Sequence, residues 1–530
     1  MSSTAVLSPA TGEAIGSVSW TPPEDVAGIV EEVARVQVLW ALLRVEDRAR
    51  YMRRAAQAVI DEFSDLSRLL AQEVGRPPAE GAFTELLPAV DALRFTADAG
   101  PRLLADHRVA PHRSIFPLKR ARVGYEPLGV VAVIGSAGAP LALPLGQVAQ
   151  ALVAGNGVVL KPSRGACLLG QRIGGLMARA GLPEGLVAVV QGSEAVGRAL
   201  VAAPVDKVFF TGHPAAGQEV ARVAAQSGRE VVREQGGQDA MLVLADAPLA
   251  RTIAGACWAG FSGAGRPRGS VERLFVVEEV AEAFTEGLVR GAEALRVGDP
   301  LAGDVDVGPL GSERRLAHVQ SLVSDAVSAG AVAHCGGQVH PAGLDGNFWA
   351  PTVVGGVRPD MRILREPIGG PVVAVVSVES TAQAIELANR SELGLGASVW
   401  SEDRHQALRI ARELRAGMVW INDHLVGPMV PQGPWGGVRG SGQRRSLGED
   451  GLRECATPKL VSWDPPAGRA PWWFAYEATV ERAARAVAEL RSARDSDRQR
   501  ALREGTLPIA RLLGRSLREA RARRDPGRRA

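Results

Sequence analysis

The chain has 530 residues, 46% of them hydrophobic and 22% charged, enough for a large core and about three domains. Four scattered cysteines (Cys167, Cys257, Cys335, Cys455) show no CxxC or Cys/His spacing, which excludes a disulfide framework and a zinc site and sets the expectation of a reducing, cytoplasmic compartment. Net charge is +3, but fifteen arginines against eight acidic residues from Tyr476 onward leave a near-neutral body and a basic tail; no signal peptide or apolar run long enough to span a membrane is visible.

In chain order, residues 24–108 read as helical. Val26, Ile29, Val30 and Val33, then Met52, Ala55, Ala56 and Ile60, recur at steps of three and four, and Gly75-Arg76-Pro77-Pro78 interrupts the pattern. Pro111 to Val123 reads as extended, basic chain. From Gly129 strands alternate with helices: Val130–Ile134, Val158–Leu160, Leu186–Val190, Lys207–Phe210 and Glu230–Val232. Continuous apolar runs repeating every ~25 residues predict a parallel, doubly wound α/β sheet, with a ligand at the carboxyl ends of its strands. A second α/β series runs from Leu242 to the strand Lys459–Trp463, and Asp464-Pro465-Pro466-Ala467-Gly468 reads as a linker. Between the two series lies Gly260-Phe261-Ser262-Gly263-Ala264-Gly265-Arg266-Pro267-Arg268-Gly269-Ser270, a glycine-rich turn that reads as non-core and suited to close backbone approach.

Several stretches together resemble the aldehyde dehydrogenase superfamily: Pro127-Leu128-Gly129-Val130, Gly155-Asn156-Gly157…Leu160-Lys161-Pro162-Ser163, Phe209-Phe210-Thr211-Gly212, Glu234-Gln235-Gly236-Gly237, Glu366-Pro367-Ile368-Gly369-Gly370-Pro371, Ile421-Asn422-Asp423-His424 and Pro434-Trp435-Gly436-Gly437. The resemblance covers roughly residues 5–476. It implies a Rossmann-like NAD(P)-binding domain (1–108 and 128–236), an α/β catalytic domain (237–436) and a small β bridging element (109–127 and 437–465) that makes dimers. Residues 466–530 form the basic tail.

By that resemblance a cysteine thiolate attacks the aldehyde, hydride leaves for NAD or NADP, and a water activated by a glutamate hydrolyses the thioester. Glu234 matches the glutamate. Arg268 holds the cysteine position, and an arginine is no nucleophile. Cys257 lies eleven residues upstream and reads as a core cysteine; Ser270 is out of register. Gly138 holds the position of the oxyanion-binding asparagine. The resemblance assigns cofactor contacts to Lys161, Ser163, Arg164, Gly212, His213, Gly217 and Glu366. Arg164 in place of a carboxylate favours NADP, His213 either contacts phosphate or caps the surface, and Pro367 and Gly369 replace the pair that grips the nicotinamide ribose.

The expectation is therefore an aldehyde dehydrogenase fold whose aldehyde oxidation is impaired or lost, with Arg268 paired to Glu234 and plugging the tunnel. The alternatives are an active oxidoreductase using non-standard residues and a non-redox hydrolase using Glu234. Expected partners are a second copy of the chain and, if active, a small aldehyde. Trp472, Trp473 and Phe474, and a basic amphipathic helix after a break at Pro508, leave two readings of 471–530 open, peripheral membrane contact or an ordinary helix docking on the body or on a partner subunit. Nothing marks nucleic-acid binding.

Overall fold

The computed structural model describes residues 3–111, 119–464, 470, 473, 474, 476, 478–511 and 514. The chain divides into one unit of residues 1–104 and 126–457 and a second of residues 105–125 and 458–530.

Among its described residues the first unit is α/β with two large sheets and two two-stranded ones, Ser3–Leu7 with Ala14–Ser19 and Leu393–Gly394 with Val438–Arg439. Its helical opening consists of Val26–Ala41, Val45–Asp61, Phe63–Val74 and Leu87–Leu103. The apolar positions at three- and four-residue steps face inward, apart from the exposed Ile60. Gly75 ends the third helix at φ +66, the left-handed conformation glycine reaches without cost. Residues Ala82–Leu86 then form a π-helical turn. That widened turn buries Thr84 and Glu85 together, which matters for the site below.

The first sheet has the order Gly442–Gln443, Glu230–Gln235, Lys207–Gly212, Val130–Ile134, Gly157–Lys161, Val187–Val189. Only the Gly442–Gln443 strand is antiparallel to its neighbour within this sheet; the other pairings are parallel. Val130 to Ile134 are all buried, as a strand covered on both faces requires. Between Gln235 and Asp239 the chain passes to the second sheet, ordered Val332–Val339, Phe348–Gly355, Val372–Val378, Val271–Val277, Asp239–Val243, Gly396–Trp400, Met418–Ile421. The Val332–Val339 edge strand pairs antiparallel and the others parallel. A core of apolar side chains from Ala240 to Leu414 surrounds this sheet.

The second unit contains a three-stranded sheet built from Ala456–Trp463, Arg120–Pro127 and His107–Val109. Pro458 to Trp463 are exposed, as is the whole of His107–Val109. Helices at Ala478–Glu489 and Asp495–Arg500 follow, then a π-helical turn at Ala501–Gly505. The chain stays helical through Pro508, contrary to the expected break. The π-helical turn Ala501–Gly505 lies just before it. Trp473, Phe474 and Tyr476 are exposed, whereas Trp472 and the expected amphipathic positions Leu512, Leu513, Leu517 and Ala520 lie outside the described residues. Among the described residues, no helix is long and apolar enough to cross a membrane.

Candidate active site

Glu234 sits on the Glu230–Gln235 strand opposite Thr211, at the carboxyl ends of two parallel strands. Its side chain is 1% exposed. Oε1 accepts from Gln147 Nε2 at 3.4 Å and from the Ser446 hydroxyl. Among the described residues Oε2 has no hydrogen-bond partner. Removal from water pushes the carboxyl up to about 7, against the opposing pull of Arg268, Gln147 and Arg445.

Arg268 lies beside it. Nη1 donates to the Glu234 backbone carbonyl at 3.0 Å, and Nη2 stands 3.9 Å from Oε2. Burial lowers the guanidinium to about 10, where it remains a cation at neutral pH. The expected proximity of the two residues is thus present, although the carboxylate contact is too long for a hydrogen bond.

The glycine-rich turn that carries Arg268 is core, contrary to the expectation. Ser262, Gly263, Ala264 and Gly265 are all buried, with three successive left-handed residues at φ +57, +54 and +64. The reading of close backbone approach does hold, because a Cβ on Gly265 would meet the Gly370 carbonyl oxygen at 2.0 Å. The turn packs on the loop that follows Glu366, and two hydrogen-bond systems clamp it. Gly263 N donates to Glu80 Oε2 at 2.7 Å, and the Gly269 carbonyl accepts from His424 Nε2 at 2.8 Å.

The first clamp belongs to a buried ionic cluster that the sequence did not reveal. Arg76 contacts Glu80 at 3.3 Å, Glu85 at 2.9 Å, Thr84 Oγ1 at 2.6 Å and the Gly138 carbonyl at 3.1 Å. Glu85 in turn accepts from the amides of Leu141 and Ala142, at the start of the Ala142–Ala154 helix. The available signal was the spacing Arg76…Glu80…Glu85 around a helix break, which puts opposite charges on one side of a turn. The second clamp is a Ser398–His424–Asp239 array, with His424 Nδ1 3.0 Å from Ser398 Oγ and Nε2 3.7 Å from Asp239. All three side chains are fully enclosed, so the array holds the turn and is out of reach of a substrate.

Gly138 has no room for a side chain. A Cβ there would lie 2.9 Å from the Arg266 carbonyl oxygen. Arg266 is held by bonds from its own guanidinium to the Gly263 and Val74 carbonyls. The backbone of the glycine-rich turn thus closes over the space that a side chain at Gly138 would need.

No cysteine offers a thiolate. Burial pushes Cys167 and Cys257 up to about 11 and Cys455 up to about 12, and it raises Cys335 as well. Cys257 lies half-buried in the Leu249–Phe261 helix, packed against the core, with Sγ 2.7 Å from where a Cβ on Gly291 would be. Ser270 Oγ is buried without a partner among the described residues.

The expected cofactor residues are only partly arranged for a ligand. Gly212 and Gly217 flank the start of the Pro214–Ala225 helix, which His213 caps by accepting from Ala215 N at 3.3 Å. Burial and the nearby Arg314, Arg315 and His318 lower the His213 pKa, so it caps as a neutral ring. Thr211 Oγ1, one residue before Gly212, is buried and, among the described residues, without a partner. Lys161 Nζ donates to the Pro162 carbonyl at 3.2 Å, and Ser163 Oγ accepts from Gly165 N. Arg164 is exposed, with its guanidinium 5.8 Å from the centre of the Trp20 ring. Glu366 departs furthest from expectation, because its carboxylate is tied to Arg362 at 2.8 and 3.1 Å on the surface. Its neighbours are similarly engaged: the Pro367 carbonyl meets His318 Nε2 at 2.9 Å, and the Gly369 carbonyl accepts from Arg315 at 2.9 Å.

Comparison with known proteins agrees with this architecture. The profile of the Aldehyde dehydrogenase family matches residues 1–461. The chain is 36% identical over 482 residues to a 4,4'-diapolycopene aldehyde oxidase of Methylomonas sp, spanning 90% of this chain and 89% of that one. It is 34% identical to a betaine aldehyde dehydrogenase of Cereibacter sphaeroides, over 86% and 92% of the two chains. Among solved structures it is similar to an NAD-dependent aldehyde dehydrogenase from Sinorhizobium meliloti, with TM-score 0.83, 32% identity, and 89% and 93% coverage. An E. coli NADP dependent enzyme superposes with TM-score 0.83 at 30% identity, over 88% and 95% of the chains. The chain belongs to the aldehyde dehydrogenase family. Its α/β fold with parallel sheets is the fold of that family.

Proposed function

We propose that this protein keeps the aldehyde dehydrogenase fold without thiol-based aldehyde oxidation and acts through binding. The observation that carries this reading is Arg268, at the position where the family's resemblance calls for the nucleophile. A guanidinium anchored on the Glu234 carbonyl cannot add to a carbonyl carbon, and all four thiols are held in their protonated form by burial. Without the covalent adduct there is no thioester for Glu234 to help hydrolyse. The closed space at Gly138 removes the oxyanion donor as well, a loss typically worth ~3 kcal/mol of transition-state stabilisation.

The residues fit NAD or NADP unevenly. The start of the Pro214–Ala225 helix, with its glycines, suits a pyrophosphate, and the unpartnered Thr211 hydroxyl lies next to it. Lys161 and Arg164 are placed for an adenosine phosphate only after their present contacts are given up. The nicotinamide end does not fit, because Pro367 and Gly369 offer no side-chain donor or carboxylate and Arg315 and His318 hold their carbonyls. No hydride step is therefore assigned. Dinucleotide binding without turnover is the expected behaviour.

The test is formation of NADH or NADPH from a panel of aldehydes, with a Cys-bearing family member as positive control. The expected result is no turnover above the no-enzyme rate. Turnover within tenfold of the control would defeat the reading. Arg268→Cys alone is expected to stay inactive, because it restores neither the oxyanion donor nor the nicotinamide contacts.

A further inference from the structure

We propose that the helical hairpin of the second unit, with the aromatic segment leading into it, docks on an anionic phospholipid bilayer. The proposal is independent of the reading of Arg268. Its first ground is charge. Residues 105–125 and 458–530 carry 22 lysines and arginines against 10 aspartates and glutamates, whereas the rest of the chain carries 39 against 48. One unit is thus strongly cationic and the other anionic. A negatively charged surface attracts the first and repels the second, which selects the part of the chain that meets it. The hairpin also lies beyond residue 461, outside the stretch matched to the family.

The second ground is what the hairpin buries and what it leaves in water. Its first helix is Ala478–Glu489; its second starts at Asp495 and runs on through the π-helical turn Ala501–Gly505. Ala483, Ala486, Val487, Ala501 and Gly505 are buried, and a Cβ on Gly505 would fall 2.1 Å from that of Ala486. A seam built from such small residues is narrow, and the larger apolar side chains stay outside it. Leu502 and Leu507 are 60% and 59% exposed, and Trp473, Phe474 and Tyr476 are exposed just before the first helix. Leucines and aromatic rings placed in this way lose water at an interface whose far side is hydrocarbon. Among the described residues no helix can cross a membrane, so the contact is peripheral.

The third ground is where the arginines are free. Near the bend the acidic residues are already taken. Glu489 pairs with Arg485 at 3.2 Å and Arg500 at 3.0 Å, Asp497 with Arg500 at 3.0 Å and Arg494 at 3.5 Å, and Asp495 with Arg498. Arg503 and Arg511 are exposed on the same helix as the two leucines and have no ion pair among the described residues. Such a guanidinium can lay its stem along the boundary and place its charge on a lipid phosphate while the neighbouring leucine enters the acyl layer. A nucleic acid would satisfy the arginines but offers the leucines no hydrocarbon.

The full chain is sedimented with vesicles of pure phosphatidylcholine and of phosphatidylcholine carrying one third phosphatidylglycerol, at about 0.1 M and about 0.5 M salt. Expected is pelleting with the anionic vesicles, about tenfold weaker at the higher salt and at least tenfold weaker with the neutral ones. Leu502→Ser with Leu507→Ser, and separately Arg503→Glu with Arg511→Glu, should each weaken binding about tenfold. All four side chains are exposed, so the unfolding midpoint should hold. No pelleting, equal pelleting with both compositions, or binding unchanged by loss of the leucines, as for a polyanion such as nucleic acid, overturns the proposal. Brominated acyl chains should also quench the tryptophan emission of the wild type. An unquenched spectrum overturns the proposal even if the variants do not fold.

Discussion

Arg76 holds together two glutamates, a threonine and the Gly138 carbonyl where water does not reach. Removing one partner from such a cluster leaves charges buried and uncompensated, at a typical cost of about 3–5 kcal/mol. Arg76→Met should therefore lower the urea midpoint sharply, while exposed pairs such as Arg53–Asp98 should change it little. Glu234 makes a prediction of a different sign. Its carboxyl titrates near 7 when folded and near 4.5 when unfolded, so the folded chain holds a proton that the unfolded chain releases between those values. Stability contributed by this group is present below pH 4.5, falls as pH rises to 7 and is flat above. The fall is on the order of 3 kcal/mol, and Glu234→Gln should flatten the slope of unfolding free energy against pH across that window.

These side chains also mark how far the sequence could be read. Glu234 and Arg268 were legible because motif order and spacing fix their places along the chain. The Arg76 cluster, the Gln147 and Ser446 contacts to Glu234, and the closure over Gly138 were not. Each depends on residues tens or hundreds of positions apart meeting in three dimensions, and no local pattern encodes that. The engagement of Glu366 with Arg362 was not legible for a related reason, because a side chain's choice of partner is made in three dimensions.

At the level of elements, the central turn owes its shape to glycine. Gly265 combines φ +64 with a backbone oxygen 2.0 Å from any added Cβ, so Gly265→Ala must displace either this turn or the loop at Gly370. A loss above roughly 2 kcal/mol in thermal or urea unfolding is expected, in contrast to Gly228→Ala, where φ is +66 but no atom lies within 4 Å. Strands buried on both faces were read well because their apolar runs are continuous. The turn was misread as non-core because small residues carry no hydrophobic signal even when fully enclosed. The π-helical segments Ala82–Leu86 and Ala501–Gly505 likewise leave no mark in the apolar spacing.

For the molecule as a whole, the second unit presents a sheet that is largely uncovered. Leu460, Val461 and Trp463 are exposed on one strand, an apolar surface that a second copy of the chain would shield. Sedimentation equilibrium should give at least twice the 55.7 kDa chain mass, and Leu460→Glu with Val461→Glu should shift the protein toward monomer. Trp473, Phe474 and Tyr476 are a separate exposed aromatic group. If they meet lipid, a chain ending at residue 464 should pellet less with anionic liposomes than the full chain; equal pelleting removes that role.

The contact between Gly138 and the Arg266 carbonyl carries a consequence for the history open to this protein. On the reading proposed for positions 268 and 138, a cysteine at 268 would need an amide at 138, and a side chain at 138 would lie 2.9 Å from the backbone oxygen two residues before 268. The two positions are then coupled through the turn, and neither exchange alone would recover thiol chemistry until the turn itself is rebuilt.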